Sequence, residues 1–266
     1  MKIRLLHIGV IILFLTGFFI TSSSTAIELE NFVGMWKFDE GSGDTAKDTS
    51  ENGNDGTLMS SPKWVEGKFD DALEFDGNAY IDMGNDESLQ FDGNVTIIFW
   101  AKPENVSAGR QYIVCKAFGG EGCLTQETNG VMSFYWGDCG GNCEPYVEVQ
   151  RPPAGTIVSG EWIHIAEVRD VDERQYRMYK NGEVVAQGSW AACGGHPCGD
   201  SKPSSLNLYI GHGYAGKFRG ILDEVAILDV VLSEEEIQNI MEVGLDEAFD
   251  VSPNGKIATT WAKLKR

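Results

Sequence analysis

Acidic side chains beside flexible turns are the first residues of this sequence with evident chemical potential. Asp39, Asp76 and Asp223 lie in three distant stretches, each next to glycine or another acid at the end of, or within, a strand-like run. Hard cations such as calcium take about 6–8 oxygen ligands, and a turn such as Asp76-Gly77-Asn78 adds backbone carbonyls to the carboxylates. Aspartate also caps turns through its own backbone, so both interpretations stay open at this point.

A second set of residues could bind sugars. Tyr135, Trp136 and Asp138 directly precede Cys139, and Trp190 precedes Cys193, so both groups adjoin a cysteine-bounded loop. Aromatic faces stack on the apolar faces of sugar rings, and we predict these four residues to be ligand-binding. Exposed aromatic side chains also form protein-binding hot spots, and a third interpretation is that the rings only cover a sheet edge. Four other tryptophans are predicted to be core residues: Trp36, Trp64, Trp100 and Trp162.

The six cysteines fall into three pairs that are close in sequence, each bounding a glycine-containing loop. In an oxidising compartment this spacing favours local disulfides, and the predicted pairs are Cys115–Cys123, Cys139–Cys143 and Cys193–Cys198. Six cysteines allow about 15 pairings, so spacing alone does not prove this one. A zinc site built from Cys139, Cys143, Cys193, Cys198 and His196 is the alternative, although its spacing departs from that of zinc fingers.

The N-terminus has the pattern of a secretory signal. Lys2 and Arg4 precede an apolar run over residues 8–20, and Ser24 and Ala26 are small residues suited to cleavage after residue 26. The alternative is an uncleaved N-terminal anchor. Cleavage removes two positive charges, so the formal net charge changes from −19 to −21, with 19 basic against 40 acidic residues. Such acidity argues against nucleic acid and anionic membrane surfaces as partners, and no membrane insertion is expected after cleavage.

Short runs rich in valine, isoleucine and aromatic residues alternate with glycine, asparagine and aspartate clusters, as in a β-sandwich. Asn181-Gly182 predicts a tight hairpin, because both positions must adopt positive φ. One helix is predicted from Ser233, whose capping box with Glu236 marks its start, to Gly244. The predicted strands cover residues 32–38, 72–75, 80–83, 95–101, 112–116, 131–136, 146–150, 162–169, 175–180, 183–187, 206–210 and 218–228.

An ordered set of motifs makes the chain similar to laminin-G-like, concanavalin A-like jelly-roll domains. They are Trp36-Lys37-Phe38-Asp39-Glu40-Gly41, Asn52-Gly53-Asn54-Asp55-Gly56, Ala72-Leu73-Glu74-Phe75-Asp76-Gly77, Trp162-Ile163-His164-Ile165-Ala166, Tyr179-Lys180-Asn181-Gly182 and Gly220-Ile221-Leu222-Asp223-Glu224-Val225. The resemblance implies an all-β fold, a two-sheet antiparallel β-sandwich (jelly roll) with one short C-terminal helix. We expect a signal peptide over residues 1–26, the jelly-roll domain over 27–245 and a C-terminal tail over 246–266.

The resemblance also bears on the cation and on catalysis. In similar domains matching acids gather around a structural Ca²⁺ near the first and last strands, which implies a calcium site at Asp39, Asp76, Asn78 and Asp223. Glucanase relatives carry a Glu-x-Asp-x-x-Glu strand, whereas this chain has Ala79 in place of the last glutamate of Glu74-Phe75-Asp76-Gly77-Asn78-Ala79. No nucleophile elbow, zinc-protease motif or phosphate loop is present in the sequence.

The sequence therefore predicts an exported, non-catalytic binding module, periplasmic or extracellular, that recognises glycans or mediates adhesion at a cell surface. The first alternative is a structural protein that adheres to other proteins. The second is a glycan hydrolase or lyase whose carboxylates meet only in three dimensions.

Overall fold

A computed structural model describes residues 27, 29–149, 152–190 and 201–249 of the chain. Within them the chain forms sixteen strands, one α-helix and two three-residue 3-10 helices, Leu29–Asn31 and Glu87–Leu89. The first eight strands are β1 Phe32–Trp36, β2 Thr45–Ala46, β3 Gly56–Met59, β4 Lys63–Glu66, β5 Asp71–Asp76, β6 Tyr80–Gly84, β7 Val95–Pro103 and β8 Gln111–Ala117. The others are β9 Gly122–Glu127, β10 Val131–Gly137, β11 Tyr146–Glu148, β12 Ile163–Asp170, β13 Gln175–Lys180, β14 Glu183–Ser189, β15 Leu208–Ile210 and β16 Arg219–Leu228, followed by helix α1 Glu234–Ala248.

The strands form two antiparallel sheets of eight strands each. The first sheet has the order β14-β13-β12-β7-β16-β5-β4, and β1 pairs with β16 beside this path. The second sheet has the order β11-β10-β9-β8-β15-β6-β3-β2. The predicted all-β, two-sheet sandwich with one C-terminal helix is thereby confirmed.

The main hydrophobic core lies between the two sheets, because side chains alternate between the faces of a strand. From the first sheet it takes Ile97 and Phe99 of β7, and from the second Met132, Phe134 and Trp136 of β10. Trp36, which was predicted to be a core residue, is fully buried and donates its indole N–H to the carbonyl of Asn54 over 2.8 Å.

The outer face of the first sheet is covered by helix α1. Ile237 and Ile240 of the helix pack with Ala166 and Val168 of β12 in a second apolar cluster. The predicted capping box at Ser233 and Glu236 is present in full. Among the described residues, no helix covers the outer face of the second sheet.

Two local predictions are confirmed and one is modified. Asn181 and Gly182 both have positive φ, 49° and 78°, as a two-residue hairpin between β13 and β14 requires. Gly244 leaves helical geometry with φ 80°, as predicted, but helical turns resume beyond it and end at Ala248. The helix therefore extends past the predicted domain boundary at residue 245.

Four strands are not predicted by local sequence patterns, namely β2, β3, β4 and β9. The first three are two to four residues long and partly exposed, so they lack a run of apolar residues. Strand β9 is different, since all six of its residues are buried although Thr125, Gln126 and Glu127 are polar. Their partners come from β8 and β10 and from distant loops, which no local pattern shows.

The structure contains two of the three predicted disulfides, Cys115–Cys123 and Cys139–Cys143. The first joins directly opposed residues of β8 and β9, and the second closes the loop between β10 and β11. The alternative zinc site is wrong as proposed, because Cys139 and Cys143 are bonded to each other and zinc binds thiolates. Cys193–Cys198, the signal segment 1–26 and most of the tail lie outside the described residues.

Candidate functional site

The outer face of the second sheet carries a row of side chains that crosses six neighbouring strands. Register pairing places Asp82, Tyr209, Cys115, Cys123, Tyr135 and Glu148 side by side on β6, β15, β8, β9, β10 and β11. Their neighbours along the strands, such as Ile81, Ile210 and Phe134, point into the core. Side-chain alternation therefore aims the whole row away from the core, with the Cys115–Cys123 disulfide at its centre.

A pocket of about 200 Å³ opens over this row, and we call it the tyrosine pocket. Its rim contains the rings of Tyr209, His212 and Tyr214 and the amide side chains of Asn142 and Asn207. Tyr214 is 69% exposed, the largest exposure among the exposed large hydrophobic side chains of the described residues. The other lining residues are Cys115, Lys116, Leu206 and Gly213.

Two turns position these groups. Asn142 belongs to the Cys139–Cys143 loop and accepts a hydrogen bond from the backbone N–H of Phe118 over 3.3 Å, which ties the loop to the end of β8. His212 follows β15 and pairs with Lys217 in an isolated bridge, so the intervening segment forms a short arch that carries Tyr214. The Asn207 amide donates to Asp82 Oδ1 over 2.9 Å, which fixes its orientation beside Tyr209.

Aromatic rings touch on both sides of the tyrosine pocket. On one side Tyr80, Tyr209 and His212 pack with centroid distances of 4.8 to 5.8 Å. On the other side Phe118 lies edge-on to Tyr214 at 5.5 Å and to Tyr146 at 5.4 Å. Burial lowers the pKa of His212, and the nearby Lys217 ammonium adds to this effect, so the neutral imidazole is favoured in this setting.

Tyr135 anchors a polar cluster at the far end of the row. Its hydroxyl lies 3.3 Å from Glu127 Oε1 and 3.1 Å from Glu148 Oε1, and it accepts a hydrogen bond from Arg110 over 2.7 Å. Glu127 Oε1 also accepts hydrogen bonds from Arg110 Nε and Thr125 Oγ1, both over 2.7 Å. Burial, followed by the two carboxylates, raises the pKa of Tyr135 to about 12, so its hydroxyl remains protonated.

The predicted sugar-stacking role of the two tryptophans needs correction. Trp136 is fully buried and Trp190 is 5% exposed, and their rings pack edge to face inside the main core with centroids 5.1 Å apart. A ring with no exposed face cannot stack on a sugar in this arrangement. Tyr135, one residue earlier, points outward, and Asp138 is partly exposed in the turn after β10.

A separate acidic cluster consists of Asp223 and Glu224 of β16 and Asp39, which follows β1. Asp223 Oδ2 accepts the backbone N–H groups of Lys68 and Phe69 over 2.7 and 3.0 Å, whereas Oδ1 is buried without a partner among the described residues. Burial raises the pKa of Asp223 to about 7, and the Asp39 carboxylate adds to the rise. Burial likewise raises the pKa of Glu224 to about 8, although its carboxylate accepts the N–H of Leu245.

Asp39 is the third member of this acidic cluster. Burial raises its pKa, although Lys37 Nζ lies 3.3 Å from Asp39 Oδ2 and favours the ionised form. The same ammonium lies 2.6 Å from Asp246 Oδ2, so Lys37 is shared between two carboxylates.

Asp76 and Asn78, the other two predicted calcium ligands, are not part of this cluster. Asp76 of β5 pairs with Arg219 of β16. Arg219 lies four residues before Asp223, and four residues correspond to about 13 Å along a strand. Its Oδ1 accepts the N–H groups of Asn78 and Ala79 in a turn, as in the turn-capping alternative. The structure therefore places Asp76 and Asn78 apart from Asp39 and Asp223, and calcium binding itself stays a prediction. Across the described residues, no group of three or more His, Cys, Asp or Glu side chains is arranged to hold a metal.

Most of the tyrosine pocket is not predictable from the sequence. The pocket residues of the segment 206–214 occur in a stretch that resembles an ordinary strand and turn, namely Asn207, Tyr209, His212 and Tyr214, and the sequence predicts only a loop at Asn142. The one available signal was the density of aromatic residues around Ile210-Gly211.

His164, predicted to be structural, is 1% exposed, and burial lowers its pKa to about 3.

Solved structures with the same architecture come from several sources. Domain 4 of an extracellular GH43 arabinanase from Geobacillus stearothermophilus, in complex with arabinotriose, is 18% identical with a TM-score of 0.59, over 79% of this chain and 98% of that one. The botulinum neurotoxin serotype D ligand binding domain, in complex with N-acetylneuraminic acid, is 12% identical with a TM-score of 0.58, over 81% and 51%. A Trypanosoma rangeli sialidase is 15% identical with a TM-score of 0.55, over 79% and 32%.

At these identities the likeness shows the fold alone, and the chain spans about half of the neurotoxin domain and a third of the sialidase. Comparison with curated protein sequences gives no match. The described helix is not long and apolar enough to cross a membrane.

Family membership rests on the sequence itself. The family model Laminin_G_3, described as the concanavalin A-like lectin/glucanases superfamily, matches residues 75–238, which is more than half of the chain. The match runs from β5 to the first turns of α1 and includes every lining residue of the tyrosine pocket. The chain therefore belongs to the concanavalin A-like lectin/glucanase superfamily.

Proposed function

We propose that this chain is an exported, non-catalytic module that binds glycans in the tyrosine pocket. The observation that carries the proposal is the pairing of partly exposed rings, Tyr209 and Tyr214, with the amides of Asn142 and Asn207 around one opening. Rings supply apolar faces for sugar C–H groups, and amides both donate and accept hydrogen bonds to hydroxyl groups. The sugar ligands of the similar arabinanase domain and neurotoxin domain support the same class of ligand.

Two other depressions on the described surface suit a glycan less well. A depression of about 480 Å³ near Leu245 has one ring, Phe249, which is only 4% exposed. Another of about 490 Å³, between Pro153 and Lys180, has no aromatic side chain in its lining. The volume of a depression therefore does not identify the glycan site, whereas the exposure of its aromatic rings does.

The absence of catalysis is part of the proposal. Glu127 and Glu148 approach each other on this face through the Tyr135 hydroxyl. Glu127 Oε1 already accepts hydrogen bonds from a guanidinium and two hydroxyl groups, so it is engaged in contacts within the protein. A glycosidase needs one carboxylic acid that protonates the leaving oxygen.

The decisive experiment is a glycan array probed with residues 27–266, with Tyr214→Ala and Asn207→Ala as test variants. Val184→Ala is the control, because Val184 is exposed on β14 of the other sheet. Saturable binding to one glycan class that both test variants lose, and the control keeps, supports the proposal. Release of reducing ends from any bound glycan would show catalysis, and binding to surface proteins without any glycan binding would favour the adhesive alternative.

A structural calcium at Asp39 and Asp223 belongs to the same proposal. Two carboxylates, one with a buried oxygen that lacks a partner, fit calcium if backbone carbonyls and water supply the remaining ligands. Lys37 forms an ion pair with Asp39, whereas Asp223 forms none with the residues that the structure describes. When bound, calcium would neutralise this buried charge and join the first and last strands of the first sheet.

Export is supported by the disulfides Cys115–Cys123 and Cys139–Cys143, because such bonds persist in oxidising compartments. Expression of the full chain in a bacterium, followed by N-terminal sequencing of the periplasmic product, tests cleavage after residue 26. A product that starts at Ile27 supports the predicted boundary, and retention of Met1 in the membrane fraction favours the uncleaved anchor.

A further inference from the structure

The rings beside the tyrosine pocket extend well beyond it on the same face. Tyr80 of β6 flanks it on one side, through its contacts with Tyr209 and His212. On the other side Phe118 and Tyr146 continue from Tyr214 by successive edge-to-face contacts. All of these rings are partly or largely exposed, in contrast to Trp136 beneath them.

The length of this surface follows from the strand order. Tyr80 lies on β6 and Tyr146 on β11, with β15, β8, β9 and β10 between them. Neighbouring strands are spaced by about 4.8 Å, so five intervals correspond to about 24 Å. That span exceeds what one sugar ring in the tyrosine pocket would cover.

Three charged groups along this surface, Arg110, Asp82 and Lys217, are each paired with another group of the protein. Arg110 binds Glu127 over 2.7 Å, and Asp82 accepts the Asn207 amide over 2.9 Å. Lys217 donates to the Asn78 carbonyl over 2.7 Å and lies over the Tyr80 ring at 4.5 Å. A ligand with its own charge would have to compete with these pairs, whereas a neutral ligand with hydroxyl groups would not.

We propose that the chain binds an internal stretch of a linear, uncharged oligosaccharide laid across the strands of the second sheet. One unit lies in the tyrosine pocket, and neighbouring units stack on Tyr80 to one side and on Phe118 and Tyr146 to the other. The proposal rests on the proposed glycan-binding function and adds its ligand class. A lectin for terminal sugars would need only the tyrosine pocket, and its affinity would not depend on Tyr80, Phe118 or Tyr146.

The test is a series of affinities against chain length. Oligosaccharides of arabinan, xylan, mannan and β-glucan, from monosaccharide to hexasaccharide, are titrated by calorimetry into wild type, Tyr214→Ala, Tyr146→Ala and Tyr146→Phe. Affinity is expected to rise with length in one series. Tyr146→Ala should weaken only the longer members, by about 2- to 10-fold, since an aromatic contact of about 0.5–1.5 kcal/mol corresponds to that ratio.

Four outcomes separate the two proposals. Retention of binding in Tyr146→Phe with loss in Tyr146→Ala supports stacking on the ring. Affinity that does not change beyond the monosaccharide, with Tyr146→Ala equal to wild type, overturns the extended surface but leaves pocket binding intact. Binding only to charged glycans on the array overturns the neutral ligand class, and binding to no glycan overturns the proposed function itself. Circular dichroism of each variant shows whether it is folded.

Discussion

The indole rings of Trp136 and Trp190 pack edge to face inside the sandwich, with their centroids 5.1 Å apart. Trp136→Ala is expected to lower the free energy of unfolding by about 3–5 kcal/mol, because it leaves a cavity in the main core. Urea denaturation measures this change. The control is Tyr214→Ala, which removes a side chain that is 69% exposed and should cost under about 1 kcal/mol. Equal effects of the two variants would contradict the burial of Trp136.

Tyr135→Phe tests the hydroxyl that lies between Glu127 and Glu148. Loss of a buried donor to charged acceptors is expected to lower the free energy of unfolding by about 1–3 kcal/mol. Tyr214→Phe is the matched control, since its hydroxyl lies on an exposed ring and its removal should cost less than about 0.5 kcal/mol. If both variants unfold at the same urea concentration as wild type, the Tyr135 cluster does not stabilise the sheet.

Calcium is expected to raise the melting temperature relative to EDTA through binding at Asp39 and Asp223. A free calcium concentration of about 100 times the dissociation constant would raise the free energy of unfolding by about 2.7 kcal/mol. Because burial raises the pKa of Asp223 to about 7, protons compete with the cation, so the increase should be larger at pH 8 than at pH 6. Differential scanning fluorimetry measures both dependences.

Asp223→Asn should abolish the calcium-dependent increase while it keeps an oxygen that accepts the N–H groups of Lys68 and Phe69. Asp76→Asn is the control and should retain the increase, because Asp76 lies outside the acidic cluster. Loss of the calcium effect in Asp76→Asn alone would overturn the two-carboxylate site, and loss in both variants would favour the sequence-based ligand set.

Glu167 is fully buried on β12, and neither of its carboxylate oxygens has a partner among the described residues. Burial raises its pKa well above the usual range, and Arg169 only partly opposes this. The neutral form therefore stabilises the fold below the unfolded pKa of about 4.3, and this contribution is lost as pH rises through the folded pKa. Between the unfolded and folded pKa values, the free energy of unfolding is expected to fall by about 1.4 kcal/mol per pH unit.

Glu167→Gln removes the titration. The variant and wild type should have similar stability at pH 5, where both buried side chains are neutral, and the variant should become the more stable protein as pH rises to 9. Urea denaturation across this range gives the comparison, and it cancels the similar contributions of Asp223 and Glu224, which titrate in both proteins. A pH-independent difference between the two proteins would rule out a protonated Glu167.

Replacement of Cys115 and Cys123 by alanine should lower the free energy of unfolding by about 2–3 kcal/mol, from the loop that the disulfide closes. The same disulfide lies at the base of the tyrosine pocket, so glycan affinity should fall as well. The Cys139→Ala/Cys143→Ala variant is the comparison, since its shorter loop predicts a smaller change in stability. An unchanged affinity in the first variant would separate the disulfide from the binding surface.

Local patterns in the sequence predicted the features that depend on nearby residues. The capping box of Ser233 and Glu236 and the hairpin at Asn181-Gly182 involve residues at most three positions apart, so their geometry follows from residue type. Cys115–Cys123 and Cys139–Cys143 were predictable for the same reason. The ordered motifs also led to the sandwich fold, and the family match over residues 75–238 confirms it.

Only the tertiary structure decided which of the aromatic residues face outward. Tyr135 and Trp136 are adjacent in sequence, and strand alternation places them on opposite faces, but the register with β9 determines which face meets the core. The tyrosine pocket depends on the same long-range pairing, because Asn142 and Tyr214 come from separate loops that meet only across β8 and β15. Asp39 and Asp223 likewise approach each other only after folding, whereas Asp76 remains about 13 Å away along β16. Residue type thus determined what each group could do, and strand register determined which groups could act together.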